Sequence, residues 1–397
     1  MPAQSRQFIA LVLGTIGALG PLAIDMYIPG MPQIAAELKV GAGAIQFSLM
    51  SFFCGLMIGQ LFYGPLSDRT GRKPMIYLGL SIFIIASLGC AMSDSASQLI
   101  TWRFIQGTGG SIGMVTGLAI VRDLFTGREA VKLVALIMIV TGVAPIIAPM
   151  LGTGIMTVAD WPMIFIGLSV YGVICLVFVT LFLPETRSKE LRATSHPLAA
   201  LYQYRQLLKS RNYISCVAVQ SLTQAGFFAY LAGSSFVFIS LFGMSPANFS
   251  IFFAINAVGM VGGSQLSPRL MKWFTPGTIT KWMLVIYTFI AAGLVLLESS
   301  EKLTFLFLAA GLFILIFAMA AVLPLNGMMA LEAHGAVSGA AAALMGALQF
   351  GAGSLASFVV GATANGTAGP MIITIAACGC SALLIAWLAF PNQKLIS

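Results

Sequence analysis

The sequence predicts an all-α membrane protein, with twelve transmembrane helices in two pseudo-symmetric six-helix bundles. Composition, apolar run length and the placement of charge each point there. Of 397 residues, 59% are hydrophobic and only 8% are charged, against about 25% charged in a soluble globular protein. A water-soluble enzyme is excluded. Apolar runs of about 20 residues, each long enough to cross a hydrocarbon core of about 30 Å, recur from Phe8 to Phe390.

Reading those runs between charged or Pro/Gly-rich breaks places helices near residues 7–36, 43–66, 74–93, 97–121, 132–156, 161–183, 212–241, 247–271, 278–297, 303–327, 335–362 and 368–390. The first run continues through Tyr27, too long for a signal-peptide core, and is expected to stay as helix 1. The longest charge-dense stretch, Pro184 to Arg211, divides the chain into an N-terminal bundle (1–183), a linker (184–211) and a C-terminal bundle (212–397). Gly59–Pro74 (GQLFYGPLSDRTGRKP) is echoed by Gly263–Pro276 (GSQLSPRLMKWFTP) at the same place in its half, although the second copy has lost the acid. This suggests duplication followed by divergence. Two bundles joined in this way suggest a transporter working by alternating access.

The net charge of +8 could suggest nucleic acid, but the bases do not form one stripe. They occupy alternate loops: Arg69, Arg72 and Lys73; Arg122, Arg128 and Lys132; Arg187, Lys189, Arg192, Arg205, Lys209 and Arg211; Arg269, Lys272 and Lys281. The intervening loops carry almost only Lys39 and Lys302. This positive-inside pattern predicts that the basic loops and both termini, marked by Arg6 and Lys394, are cytoplasmic. The expected partners are lipid, protons and a small-molecule substrate, with no nucleic acid, and the chain is expected as a monomer.

Several site chemistries find no support. Cys54, Cys90, Cys175, Cys216, Cys378 and Cys380 lie in apolar segments without zinc spacing and read as small core residues. His196 and His334 fall in loops, away from acids or cysteines at metal spacing, so no metal is expected. The chain has no Gly-Lys-Ser/Thr phosphate loop, so direct ATP drive is not expected, and the proton gradient is the expected energy source in place of a cofactor.

Asp25 is the acidic side chain that stands inside an apolar run. A carboxylate there costs about 2.5–3.5 kcal/mol on insertion scales, which marks it as a place where protons or cations bind. Desolvation favours the neutral acid, whereas a nearby cation or a water-filled cavity favours the carboxylate. Arg103 lies in the fourth helix; counted from Arg122 it sits as deep as Asp25 does from Arg6, about 28 Å along a helix. Coupling between the two is therefore expected, with bonding of Arg103 to backbone carbonyls as the alternative.

The segment Gly64-Pro65-Leu66-Ser67-Asp68-Arg69-Thr70-Gly71-Arg72-Lys73 between helices 2 and 3 suits a gate. Its glycines permit a tight turn, Asp68 can accept from a helix N-terminus and Arg72 can reach Asp123. Solvated charges that only fix orientation are the alternative. Gly142, Pro145, Pro149 and Gly152 allow helix 5 to bend. Cavity candidates are polar or aromatic residues in apolar helices: Tyr27, Gln46, Gln220, Gln224, Phe227, Phe228, Tyr230, Asn256 and Asn326. Gln220, Gln224 and Phe227 share one face of helix 7.

The 64–73 segment closely resembles the signature of the major facilitator superfamily, and the chain resembles that superfamily's drug:proton antiporters of the Bcr/CflA drug-resistance branch. Asp25–Pro29 (DMYIP), Arg103–Gly107 (RFIQG), Ala144–Gly152 (APIIAPMLG), Leu183–Thr186 (LPET) and Gly339–Phe350 (GAAAALMGALQF) extend the resemblance over most of the chain. It implies a latch of Gly64, Asp68, Arg69, Gly71, Arg72, Lys73 and Asp123 that holds the outward-open state. It further implies proton coupling through Asp25, Arg103 and Gln106, and an antiporter hinge at Gly142, Pro145, Pro149 and Gly152. Ala144 and Thr153 depart from the hinge pattern, which favours glycine at both places. Gly17 stands where related antiporters sometimes carry a second acid, which makes neutral or amphoteric solutes the more credible cargo. The function expected from the resemblance is proton-coupled export of small amphiphilic compounds, such as chloramphenicol-type or bicyclomycin-type antibiotics, across a bacterial inner membrane. A metabolite or siderophore exporter on the same scaffold is the alternative within transport. A transport-inactive sensor is the alternative outside it.

Overall fold

The computed structural model describes residues 3–193 and 197–390, and their regular structure is helical throughout. Twelve helices are long and apolar enough to span a bilayer: α1 (Phe8–Glu37), α2 (Ala42–Thr70), α3 (Arg72–Ala91), α4 (Ala96–Leu124), α5 (Gly127–Met156), α6 (Pro162–Phe182), α7 (Arg211–Leu241), α8 (Pro246–Leu270), α9 (Pro276–Ser299), α10 (Phe305–Glu332), α11 (Ser338–Ala362) and α12 (Gly369–Ala389). Two shorter linker helices, Lys189–Ala193 and Pro197–Lys209, lie between α6 and α7. The expected all-α, twelve-span architecture is borne out. The markers Lys394 and His196 lie outside the described residues, and the side chain of Arg6 outside the described side chains.

Hydroxyl side chains set where several spans begin. Ser95, Ser210, Ser245, Thr275 and Thr304 each accept a hydrogen bond from the backbone N–H three residues on, at the starts of α4, α7, α8, α9 and α10. Pro246 and Pro276 follow their caps directly, where a missing N–H costs nothing. Some boundaries differ from the sequence reading: α2 runs to Thr70 rather than 66, α5 starts at Gly127 rather than 132, and α10 reaches Glu332 rather than 327. Charged residues that mark a loop in sequence are here carried on the terminal turns of long helices.

α1 is not one regular helix. It consists of helical segments Ala3–Gly17 and Leu19–Asp25, a 3₁₀ turn Ile28–Gly30 and a last segment Met31–Glu37. Pro21, Pro29 and Pro32 each lack the N–H that would continue the ladder. Non-regular backbone at membrane depth persists only where protein buries it, and Tyr27, Ile28 and Met31 are fully buried.

Most helix contacts fall within α1–α6 or within α7–α12, and the two sets meet along an extensive seam between α2 and α11, second in extent only to the α2–α4 contact. Within the first set α2 and α4 touch backbone to backbone: a Cβ at Gly107 would strike the Phe52 carbonyl, and one at Gly55 the Phe104 carbonyl. Lipid supplies no hydrophobic drive between helices, so such close approach is what holds them. Between the sets, the Ile28–Gly30 turn packs on α7 and α8, and α5 packs on α8. Phe47 stacks on Phe358 at 5.5 Å, and Phe53 meets Phe228 at 4.4 Å. The end of the molecule carrying Arg69, Arg122 and the linker is termed the basic face.

Gly107→Val is expected to lower stability by about 1–3 kcal/mol through overpacking. Gly117→Ala, where an added Cβ has nothing within 4 Å, is expected to leave the thermal midpoint of the detergent-purified protein unchanged. Equal midpoints for the two variants, read by intrinsic-fluorescence unfolding, would contradict the α2–α4 contact.

Candidate functional site

Asp25 ends the second segment of α1 and is 5% exposed. Arg103 is fully buried on α4, but its guanidinium turns to the Ala23 carbonyl at 3.1 Å and to Gln106 Oε1 at 2.6 Å. It sits over the rings of Phe52 (4.1 Å), Tyr27 (4.8 Å) and Phe165 (5.8 Å). Gln106 donates onward to Ser87 on α3 at 2.8 Å, and the Tyr27 hydroxyl pairs with Ser48 on α2 at 2.7 Å. Arg103 thus ties the irregular part of α1 to α2, α3 and α6. The two opposite charges are at similar depth, yet Arg103 bonds a carbonyl two residues before Asp25 and not its carboxyl. The turn that follows Asp25, Ile28–Gly30, packs on α7 and α8, where the Tyr230 hydroxyl accepts from Asn256 Nδ2 at 3.4 Å. Arg103 is not alone as a buried base: Lys281, grouped with loop charges in the sequence reading, lies in the first turns of α9 and donates to the Phe390 carbonyl at 2.7 Å.

The 64–73 segment is helical apart from one residue. Gly71, at φ +110°, makes the whole turn from α2 to α3, and a Cβ there would crowd Glu185 and Arg192. Arg72 lies between Asp68 (2.7 Å) and Asp123 (3.0 Å) and donates to Ser67 Oγ at 2.7 Å. Asp68 pairs with this guanidinium four residues on and lies 3.9 Å from Arg187, in place of the expected helix N-terminus. That terminus is taken by Glu185 of the LPET stretch, which accepts from the backbone N–H groups of Arg72 (3.0 Å) and Lys73 (3.1 Å) and pairs with Arg192 at 3.2 Å. Lys73 Nζ bonds the Thr180 carbonyl at 3.2 Å, and Arg69 is exposed. Glu185 was legible only as part of a motif, because its partner lies more than a hundred residues back in the chain.

Next to this network on the basic face lies a cavity of about 630 Å³. Gln60, Gly64, Asp68 and Arg72 line it from α2 and α3, Arg122 and Asp123 from α4, and Gly339 and Ala343 from α11, with Gln203 and Tyr204 at the linker. Burial, and secondarily the Asp68 carboxylate, push the Tyr204 phenol up to about 12, so it remains a donor, here to the Leu61 carbonyl at 3.2 Å. None of the nine cavity candidates read from the sequence lines this space. Gln46 lines a smaller crevice of about 230 Å³ at the opposite face, and Phe227 and Tyr230 border a narrow cleft inside the second set. Phe228 is packed between Phe53 and Phe350, and Tyr27 against Arg103. Gln220, Asn256 and Asn326 are buried, and their amide oxygens have no protein partner; Gln224 is half-buried. Side-chain polarity identified buried groups. Closure of the two sets around α2, α4 and α11 decides where the space is.

α5 stays helical through Pro145 and Pro149. A Cβ at Gly152 would strike the Met26 carbonyl, so this glycine lets α5 lie against the α1 break, whereas Gly142 faces open space. Thr153 bonds Ser250 of α8 at 2.7 Å, and Ser250 also donates to the Pro149 carbonyl at 3.1 Å.

A family model, described as Major Facilitator Superfamily, matches residues 13–361. The chain belongs to this superfamily. It is therefore a transporter and not an enzyme. It is 36% identical over 370 residues to the uncharacterized MFS-type transporter YdgK of Bacillus subtilis (strain 168), covering 93% of this chain and 92% of that one. It is 31% identical over 380 residues to the bicyclomycin resistance protein homolog of Haemophilus influenzae, covering 95% of each chain. The xylose transporter XylE from E. coli, solved in a partially occluded inward open conformation, superposes with a TM-score of 0.73 at 15% identity over 99% of each chain. That likeness concerns the fold alone.

Replacing Arg72 by Met leaves Asp123 without its cation and is expected to cost about 1.5–3 kcal/mol, the worth of a hydrogen bond to a charged group. Adding Asp123→Asn should restore part of the loss. The thermal midpoints of wild type, both single variants and the double variant check this, and strictly additive losses would show that the pair does not interact.

Proposed function

We infer that the chain is a proton-coupled antiporter that exports small amphiphilic compounds by alternating access across a bacterial cytoplasmic membrane, with both termini cytoplasmic. The observation that carries this reading is Asp25: a buried carboxyl at a break in α1, whose following turn packs on α7 and α8 of the other helix set, and one that Arg103 does not pair with. A carboxyl enclosed in this way is most simply accommodated by taking up a proton, and the break lies where the two sets must part for the opposite face to open. Inward proton movement supplies about 1.4 kcal/mol per pH unit and about 2.3 kcal/mol per 100 mV, sufficient to drive a solute outward against a tenfold gradient. Relatives named for bicyclomycin and multidrug resistance support a drug-like cargo. The basic-face cavity, with Gln60, Asp68, Arg122 and apolar alanines on its wall, suits an uncharged or amphoteric amphiphile entering from the cytoplasm. The proton gradient is the energy source, no cofactor is required and the monomer is the working unit.

Purified protein in liposomes with an imposed pH gradient is expected to move chloramphenicol-type or bicyclomycin-type compounds uphill, and Asp25→Asn is expected to abolish the uphill component while leaving insertion and folding intact. Undiminished proton-driven accumulation by Asp25→Asn would end the reading. Asp68→Asn is expected to retain the direction of transport but slow it, read as a lower initial rate at equal protein density.

A further inference from the structure

The linker helix Pro197–Lys209 has two dissimilar faces. Tyr204 and Leu207 are buried against α2, α7 and α11. On the outer side Leu201, Tyr202 and Leu208 are 60%, 64% and 47% exposed, and Arg205 and Lys209 are exposed among them. Leu201, Arg205 and Leu208 follow the i, i+4, i+7 spacing of one helix face, and Tyr202, Arg205 and Lys209 the adjoining one. No described acidic side chain pairs with Arg205 or Lys209.

The level of this helix gives that face its partner. Tyr204 bonds the Leu61 carbonyl, nine residues before the end of α2, which is about 13 Å inside the helix end. The linker helix therefore packs against α2, α7 and α11 and does not stand clear of the spans. Directly beside its anchor, Phe62 and Leu66 of α2 are exposed apolar side chains of the kind that face acyl chains. A helix whose outer side combines leucines, a tyrosine and bases with no acidic partner among the described residues matches the boundary between headgroups and acyl chains.

We propose that this outer face is a binding site for anionic phospholipid: Leu201 and Leu208 enter the acyl boundary, Tyr202 sits at the headgroup level, and Arg205 and Lys209 take the phosphate-bearing headgroup. The same helix carries Gln203 and Tyr204 on the rim of the basic-face cavity, so lipid on one side fixes a wall of the cavity on the other. The proposal requires only that the chain spans a bilayer, and stands whether or not Asp25 couples to protons.

The test uses the full chain with Tyr202→Cys in a Cys380→Ser background, since Cys380 is the exposed one among the free cysteines. The new thiol is labelled with bimane, and the signal is read against the Cys380→Ser chain alone. The protein is reconstituted into phosphatidylcholine vesicles containing an equal fraction of either phosphatidylglycerol or phosphatidylcholine that bears a shallow acyl nitroxide. Strong quenching by both, with a preference for phosphatidylglycerol of about fivefold or more, is expected from the attraction of a basic side chain to an anionic surface. Arg205→Gln combined with Lys209→Gln should remove the preference and keep the quenching. Equal quenching by the two lipids in the parent chain would overturn the headgroup assignment. Quenching by aqueous iodide and by neither lipid would overturn the interfacial placement as well.

Discussion

A carboxyl group surrounded by apolar helices needs a cation, hydrogen-bond donors, water or a proton, because an uncompensated buried charge is far costlier than a buried neutral acid. Asp25 meets this constraint without the buried base closest to it in depth. Arg103 is committed to the Ala23 carbonyl, to Gln106 and to a surround of three aromatic rings. The guanidinium therefore holds the backbone of the α1 break in place on the side of the first helix set. The carboxyl is left without that base, beside the turn that packs on α7 and α8 of the second set. Its surroundings are shared between the two sets, so whatever parts them also changes the company Asp25 keeps.

The basic face is organised on another principle. The ion pairs of Arg72 with Asp68 and Asp123, and of Glu185 with Arg192, join α2, α3, α4 and the linker, and Glu185 closes the start of α3. These bonds stiffen the first set and connect it to the linker. Contacts from this region to α11 are slight by comparison, as in the 3.3 Å approach of Arg122 to Ser338. The cavity opens between those two levels of rigidity, with a braced wall on one side and the glycine- and alanine-rich start of α11 on the other. Small side chains there leave volume between α11 and α2 at this end, whereas farther along Phe47 with Phe358, Cys54 with Ser354, and Ser354 with the Met50 carbonyl join the same two helices.

The fold was legible because hydrophobic run length and loop charge are one-dimensional signals. The family resemblance was legible because motifs such as the 64–73 segment are contiguous. Arg72 with Asp123 could be anticipated, since two opposite charges at the same face invite pairing. Glu185 as the cap of α3 could not, because nothing in the LPET stretch states which helix end folds beside it. The cavity was harder still. Gln60 lines it, while Gln220 and Asn326 do not, and all three are buried polar residues on apolar spanning helices. The difference lies in how far the two helix sets have closed, a three-dimensional variable without periodicity in the chain. Thr153 read as a departure from an expected glycine, and its hydroxyl proves to be a contact between the sets.

The bonds that cross between the sets are modest ones. Thr153 with Ser250, Cys54 with Ser354, and Ser354 with the Met50 carbonyl are hydroxyl and thiol contacts, each worth about 0.5–1.5 kcal/mol net. Aromatic pairs such as Phe53 with Phe228 add about 0.5–1.5 kcal/mol beyond their buried area. Among the described residues the ionic bonds lie inside the first set and its linker, and hydroxyl, thiol and aromatic contacts join the two sets. On the proposed proton-coupled mechanism, binding one proton across a modest pH difference and membrane potential supplies a few kcal/mol toward parting these contacts. A salt bridge in the place of Thr153 and Ser250 would instead have to be broken and re-solvated in every cycle.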